Sequence, residues 1–206
     1  MRKAQDLTEI MNFTYASKFA LTQKAINAQK PVQVVLHWTA GRYSQFFDDY
    51  HINIDYDGSY YLSTTDFSEI KYHNYMKNSG SIGICLCCAY GADTNSLGDY
   101  APTDEQIEAC AKLMAVLSEA LGTELDVEHF CTHGESSDNE DFDFFYPDYT
   151  GYPNNTYGPK SDCERWDLEY LDTPDSPSFN PHDEAHRGGT VLRNKAKKYR
   201  MSFYGH

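Results

Sequence analysis

The sequence predicts an α/β domain, a mixed central β-sheet flanked by helices, and three features carry that expectation. Two near-continuous apolar runs, Val32 to His37 and Ser81 to Cys87, read as strands buried on both faces. A long amphipathic helix with a complete start signal follows the second run. Strand and helix patterns alternate along the chain instead of segregating, as in layered α/β folds.

The first element expected is helical. Between about Leu7 and Gln29, the residues Ile10, Met11, Phe19, Ala20, Ala25 and Ile26 recur at loose helical spacing, giving one or two amphipathic helices. Pro31 ends that stretch, since it lacks an N–H, and the β-branched run to His37 suits a strand. Gly41 to Asp49 reads as a loop. Tyr50–Asp55 and Tyr60–Leu62 alternate around Asp57-Gly58, a hairpin signal in which Gly58 tolerates positive φ. In the second apolar run, Gly83 is the small residue that lets a neighbour pack closely.

Pro102 and the capping box Thr103-Asp-Glu-Gln106 open the strongest helix. Ile107, Cys110, Met114, Leu117 and Leu121 share one face, and Gly122 is a natural stop. Phe130 to His133 leads out of a short strand, and a helix is expected to resume near Trp166, anchored by that ring. The intervening Gly134–Lys160 stretch is too long for an ordinary loop, hence functional or disordered. Its Asp138, Glu140, Asp141 and Asp143 lack EF-hand spacing and read as a solvated acidic loop. Asp172–Pro181 is proline-rich and linker-like, His182 and His186 read as bystanders, and basic Arg193–Arg200 reads as a solvated helix face.

A chain of 206 residues suffices for one domain with a real core. Aromatic residues make up 15% of it, 17 of them tyrosines, which argues against disorder. The net charge of -14 excludes the clustered Lys and Arg that nucleic-acid phosphates require, and offers no attraction to anionic membranes. No stretch approaches the roughly 18 apolar residues of a membrane span. The residues after Met1-Arg2-Lys3 lack the apolar core of a secretory signal, so synthesis in the cytoplasm without a signal peptide is expected. Cys85, Cys87, Cys88, Cys110 and Cys131 read as buried thiols in a reducing compartment. The spacing of Cys85 and Cys88 is formally CxxC, but in a strand the two would face opposite ways.

Three residues at strand ends or in loops carry ligand chemistry: His37, His133 and Cys163. Two imidazoles with a thiolate or carboxylate, leaving a fourth position open, form the donor set of catalytic zinc. The open position matters because zinc lowers the pKa of bound water to about 7. The spacing follows no local zinc motif, and a lone strand-end histidine is more often a satisfied polar residue, so the residues alone leave the metal reading open.

The ordered motifs HWTAG, YHINIDYDG, HNYMKNSGSIGI, THGE and DCERWDL resemble the peptidoglycan amidase family. That family includes N-acetylmuramoyl-L-alanine amidases, phage amidase endolysins and animal peptidoglycan recognition proteins. The resemblance runs from about Val32 to Leu171, and Gly188 to Ala196 is similar to the ending of prophage-type members. It implies a peptidoglycan-recognition-protein-like fold with a helical segment 1–30 packed on a catalytic domain 31–171, and an extension over 172–206. It implies hydrolysis of the amide between N-acetylmuramate and L-alanine by Zn2+-activated water. His37 and His133 match the first two zinc ligands. Cys163, four residues before Asp167, matches the third in Cys-type members, and Asp162 is the alternative.

Tyr50 matches a tyrosine that borders the metal and could donate to an oxyanion, although packing on the sheet fits as well. Glu135 matches an acidic position that orients a ligand or assists proton transfer, with capping or salt bridging an equal reading. Lys160 matches a catalytic lysine only if Asp162 is the ligand. His73 and Asn78 match a segment lining the substrate groove, and for His73 a surface position on a strand edge fits equally. The implied partner is bacterial peptidoglycan or muropeptides, with no nucleic acid and no stable membrane insertion. A (pro)phage-type lysin would reach the wall through a holin. Two other readings stand: a muropeptide-binding module that does not cut, and a cytoplasmic amidase recycling soluble muropeptides.

Overall fold

The computed structural model describes residues 1–74, 77–137, 166–180 and 182–205. Six strands form one sheet: β1 (Arg2–Lys3), β2 (Gln33–Trp38), β3 (Ile52–Ile54), β4 (Tyr60–Leu62), β5 (Ser81–Leu86) and β6 (Phe130–Thr132). Among the described residues the α-helices are α1 (Leu7–Asn27), α2 (Asp104–Leu121), the short α3 (His133–Ser137) and α4 (Gly188–Tyr204). Strand order is β1-β4-β3-β5-β2-β6. The sheet is mixed as expected: β1, β4 and β3 pair antiparallel, while β3, β5, β2 and β6 run parallel.

The two apolar runs are β2 and β5, neighbours in which every residue is buried, as parallel strands covered on both faces require. The expected hairpin is β3–β4, turning through Gly58 at φ +78°. Edge strand β1 was not legible, because two residues cannot show an alternating pattern.

Helix α1 is continuous and starts where the Asp6 side chain accepts the Glu9 N–H at 2.8 Å. Its buried stripe is Ile10, Thr14, Ser17, Leu21 and Ala25, so Phe19 and Ile26 face solvent instead of the core. Hydroxyls can occupy that stripe because each has an acceptor or donor role. The Thr14 hydroxyl donates to the Ile10 carbonyl, and that of Ser17 accepts the Phe67 N–H.

Helix α2 keeps the full capping box, and Gly122 closes it at φ +71°. Gln106, buried within that box, also donates to the carbonyls of Ile54 and Cys87, tying the helix start to β3 and the end of β5. α2 packs against both α1 and α4. The C-terminal helix therefore lies inside the fold: Val191, Leu192 and Ala196 share the core with β2 and β5, and Arg193 is buried instead of solvated.

No helix resumes at Trp166. Residues 166–171 form turns in which Leu168 takes φ +61°, with Leu168 and Leu171 buried as anchors. The five described cysteines are free and buried, and burial pushes Cys110 and Cys131 up to about 12, which disfavours their thiolate forms. No helix among the described residues is long and apolar enough to cross a membrane.

Candidate metal centre

β2 and β6 run parallel with Leu36 opposite Thr132, so the next residue of each, His37 and His133, emerges beside the other. Both stand at the carboxyl edge of the strands, where open α/β sheets present their ligand crevices. Their ring centroids are 4.7 Å apart. Asp167 joins them from the turn after Trp166, its Oδ2 3.4 Å from His37 Nδ1 and 3.5 Å from His133 Nδ1. One donor atom from each of the three lies within 4.8 Å of the others. Burial works to raise the Asp167 carboxyl, but hydrogen bonds and charge from His133 and His37 hold it well below the usual carboxylate range. Two imidazoles and an ionised carboxylate fit a divalent ion that keeps one position for solvent.

His133 and Asp167 line an open cleft of about 600 Å³. Trp38, Tyr50, Tyr72 and Trp166 are among its walls, and the two tryptophans meet edge to face at 4.9 Å. Tyr50 thus reaches the site, its ring centroid 5.0 Å from that of His37. His73 and Asn78 also border the cleft. His73 is buried, not on a surface edge, with Nδ1 3.1 Å from His37 Nε2. The Asn78 amide oxygen accepts the N–H groups of His73 and Asn74, so it shapes the loop that carries His73.

Glu135 is absent from that lining. Both its oxygens accept from Arg193, at 2.7 and 2.8 Å, and one also accepts the Thr132 N–H. That is the salt-bridging reading of this residue, and its geometry offers no proton to the cleft. Cys163, Asp162 and Lys160 lie outside the described residues, as does the acidic group at 138–143. A second acid-and-imidazole group, Asp126, Glu128 and His129, precedes β6, at the opposite end of the strands from His133, and His129 is already bonded to Asp126.

The C-terminal segment grips both edges of the site. Arg187 binds the Glu169 carboxylate through two hydrogen bonds of 2.9 Å, two residues beyond Asp167. Arg193 binds Glu135, two residues beyond His133. Glycines permit the close fit: a Cβ at Gly134 would collide with Glu169, and one at Gly188 with the Leu168 carbonyl. Both of these arginines and both carboxylates are paired and hydrogen-bonded, as burial demands.

Residues 27–142 match the family model described as N-acetylmuramoyl-L-alanine amidase. The chain belongs to that amidase family. No curated protein sequence matches it. Membership carries peptidoglycan amidase activity in general, and the amidase match includes His37, Tyr50, His73, Asn78, His133 and Glu135. It ends before Asp167, Arg187 and Arg193. Sequence reasoning used Asp167 only as a spacing landmark for Cys163, although its place in the Trp-Asp-Leu motif was the available signal. The two arginines gave none, since nothing local distinguishes a buried basic residue from a solvated one.

Proposed function

We propose that the chain is a zinc-dependent N-acetylmuramoyl-L-alanine amidase that cuts the amide between the lactyl carbonyl of N-acetylmuramate and the first L-alanine of the stem peptide. The observation carrying this reading is the convergence of His37, His133 and Asp167 at the edge of an open cleft. Zinc held there would supply Lewis-acid polarisation of the carbonyl and lower the pKa of solvent at its open position. We take Asp167 as the third donor, and Cys163 and Asp162 as the alternatives that mutagenesis must separate from it.

The protein's own groups then have defined tasks. Asp167, ionised, places its Oδ2 3.4 and 3.5 Å from the Nδ1 atoms of His37 and His133, so the three donor atoms face one point. The aromatic walls, Trp38, Tyr72 and Trp166, offer flat apolar surface to a sugar ring and the alanine methyl. Tyr50, at the cleft, donates a hydrogen bond from its phenol to the carbonyl oxygen as negative charge develops there. With Glu135 bound by Arg193, the proton for the departing alanine nitrogen is assigned to the attacking water, with Lys160 as the alternative.

The test is zinc content together with release of stem peptides bearing new alanine N-termini from purified walls. The native chain is expected to hold one zinc and to cut, and chelation to stop cutting. His133→Ala should lose both while keeping its circular dichroism. A zinc-loaded chain that binds muropeptides without cutting them would be a recognition module instead. The prophage-like ending supports a lysin acting on intact walls after passage through a holin, so faster release from walls than from soluble muropeptides is expected. The reverse preference would indicate a recycling enzyme.

A further inference from the structure

A histidine ligates a metal through one ring nitrogen, and the other then carries the proton and needs an acceptor. The two nitrogens of His37 face different groups. Nδ1 faces Asp167 at 3.4 Å, and Nε2 faces His73 Nδ1 at 3.1 Å. Ligation through Nδ1 puts the His37 proton on Nε2, directed at His73.

The surroundings of His73 are built to hold it there. Its ring rests on Gly83 of β5, where a Cβ would come within 2.6 Å of two ring atoms, so a larger residue would displace it. Its backbone N–H is tied to the Asn78 amide oxygen. His51, the next imidazole along at 5.9 Å, is engaged elsewhere: Nδ1 accepts the Gly83 N–H and Nε2 pairs with the Glu69 carbonyl. Gly83 thus fixes His51 through its N–H and seats His73 through its missing side chain. His73 is 6% exposed, and with its own proton on Nε2 the Nδ1 that faces His37 at 3.1 Å has a lone pair for accepting.

We propose that His73 is a positioning residue for the metal centre: its Nδ1 accepts the Nε2–H of His37, which selects the tautomer whose Nδ1 can ligate and holds that ring toward His133 and Asp167. This inference rests on the zinc reading above. It differs from a substrate-contact role, in which the other nitrogen, Nε2, would matter.

The two roles separate by which atom a replacement preserves. In His73→Asn the amide oxygen overlays Nδ1, in His73→Gln the amide group overlays Nε2, and in His73→Leu neither survives. Zinc affinity of the full chain is measured by chelator competition, and the cobalt-substituted protein reports ligand geometry through its visible absorption. Zinc binding by His73→Leu and His73→Gln is expected to weaken about 10- to 100-fold, the usual effect of removing an outer hydrogen-bond partner. His73→Asn should stay near native in affinity and cobalt spectrum. Should His73→Leu fail to fold, the contrast between the two amides still decides. Equal zinc affinity in the Asn and Gln proteins would overturn the proposal while leaving the zinc reading intact. A native chain that takes up no zinc would instead remove the reading on which it rests.

Discussion

His37 stands on β2 and His133 directly follows β6, so the parallel backbone ladder sets their separation, whereas Asp167 stands on a turn held by side chains. The ladder tolerates most side-chain changes, because its hydrogen bonds are backbone to backbone. The turn depends on Glu169 meeting Arg187, on Leu168 and Leu171 entering the core, and on glycines at 134 and 188. The two regions also bury cations differently. At the opposite end of β2 and β5, Lys30 donates to the Ser81 hydroxyl, the Gly80 carbonyl and the Gln33 amide, all neutral acceptors. Burial pushes it down to about 7. Arg187 and Arg193 instead meet carboxylates, whose charge outweighs burial and keeps them protonated. One half of the site thus rests on the family's sheet, and the other on ion pairs from beyond the matched region.

The largest expected effect tests that division. Asp167→Asn should reduce zinc affinity and stem-peptide release at least about a hundredfold, beyond the range for outer partners, although it lies outside the family match. Cys163→Ser should leave both within about threefold, on the order of ordinary context effects. The opposite pattern, measured by chelator competition and wall hydrolysis, would move the third ligand to Cys163 and end the contrast drawn above.

Next is the clamp. Arg193→Met leaves the Glu135 carboxylate buried beside a hydrocarbon, which should cost about 3–5 kcal/mol. In a chain this size that lowers Tm by about 10 °C, and calorimetry would show it. A shift below about 2 °C would mean that water reaches Glu135 and that α4 is not needed to hold α3.

The Lys30 contribution has a defined sign. Its folded pKa, about 7, lies below the 10.5 of a free lysine, so between those values the unfolded chain holds the extra proton. Raising pH through that window therefore favours folding, by roughly 1.4 kcal/mol per pH unit for one proton. Below pH 7 both states are protonated and the burial penalty is constant. Lys77, pushed down to about 8, acts in the same sense. In Lys30→Met the slope from Lys30 should vanish and stability at pH 6 should rise, as urea titrations at pH 6, 8 and 10 would detect. An unchanged slope would mean that Lys30 is hydrated. Gly188→Ala drives a Cβ into the Leu168 backbone carbonyl and should cost at least about 1–3 kcal/mol from overpacking. If stability is retained but zinc affinity falls, the strain is relieved by moving Asp167.

How much of this was legible follows from what each signal measures. Apolar periodicity and capping chemistry are local, so β2, β5, α2 and the β3–β4 hairpin could be read directly. The α1 surface misled because Thr14 and Ser17, polar by type, find local partners and occupy the buried stripe, turning Phe19 and Ile26 outward. The expected helix at Trp166 failed for a tertiary reason, since Leu168 adopts a left-handed turn to put its side chain in the core.

By itself the sequence determined the sheet class, the two histidines and the family, because strand pattern and motif order are properties of neighbouring residues. Only the tertiary structure brought Asp167 to those histidines, turned Glu135 toward Arg193 and set His73 against His37. The physical reason is distance along the chain. These contacts join residues 18 to 130 positions apart, and pairing a buried charge or an imidazole proton depends on what the fold delivers to it, which no local pattern encodes.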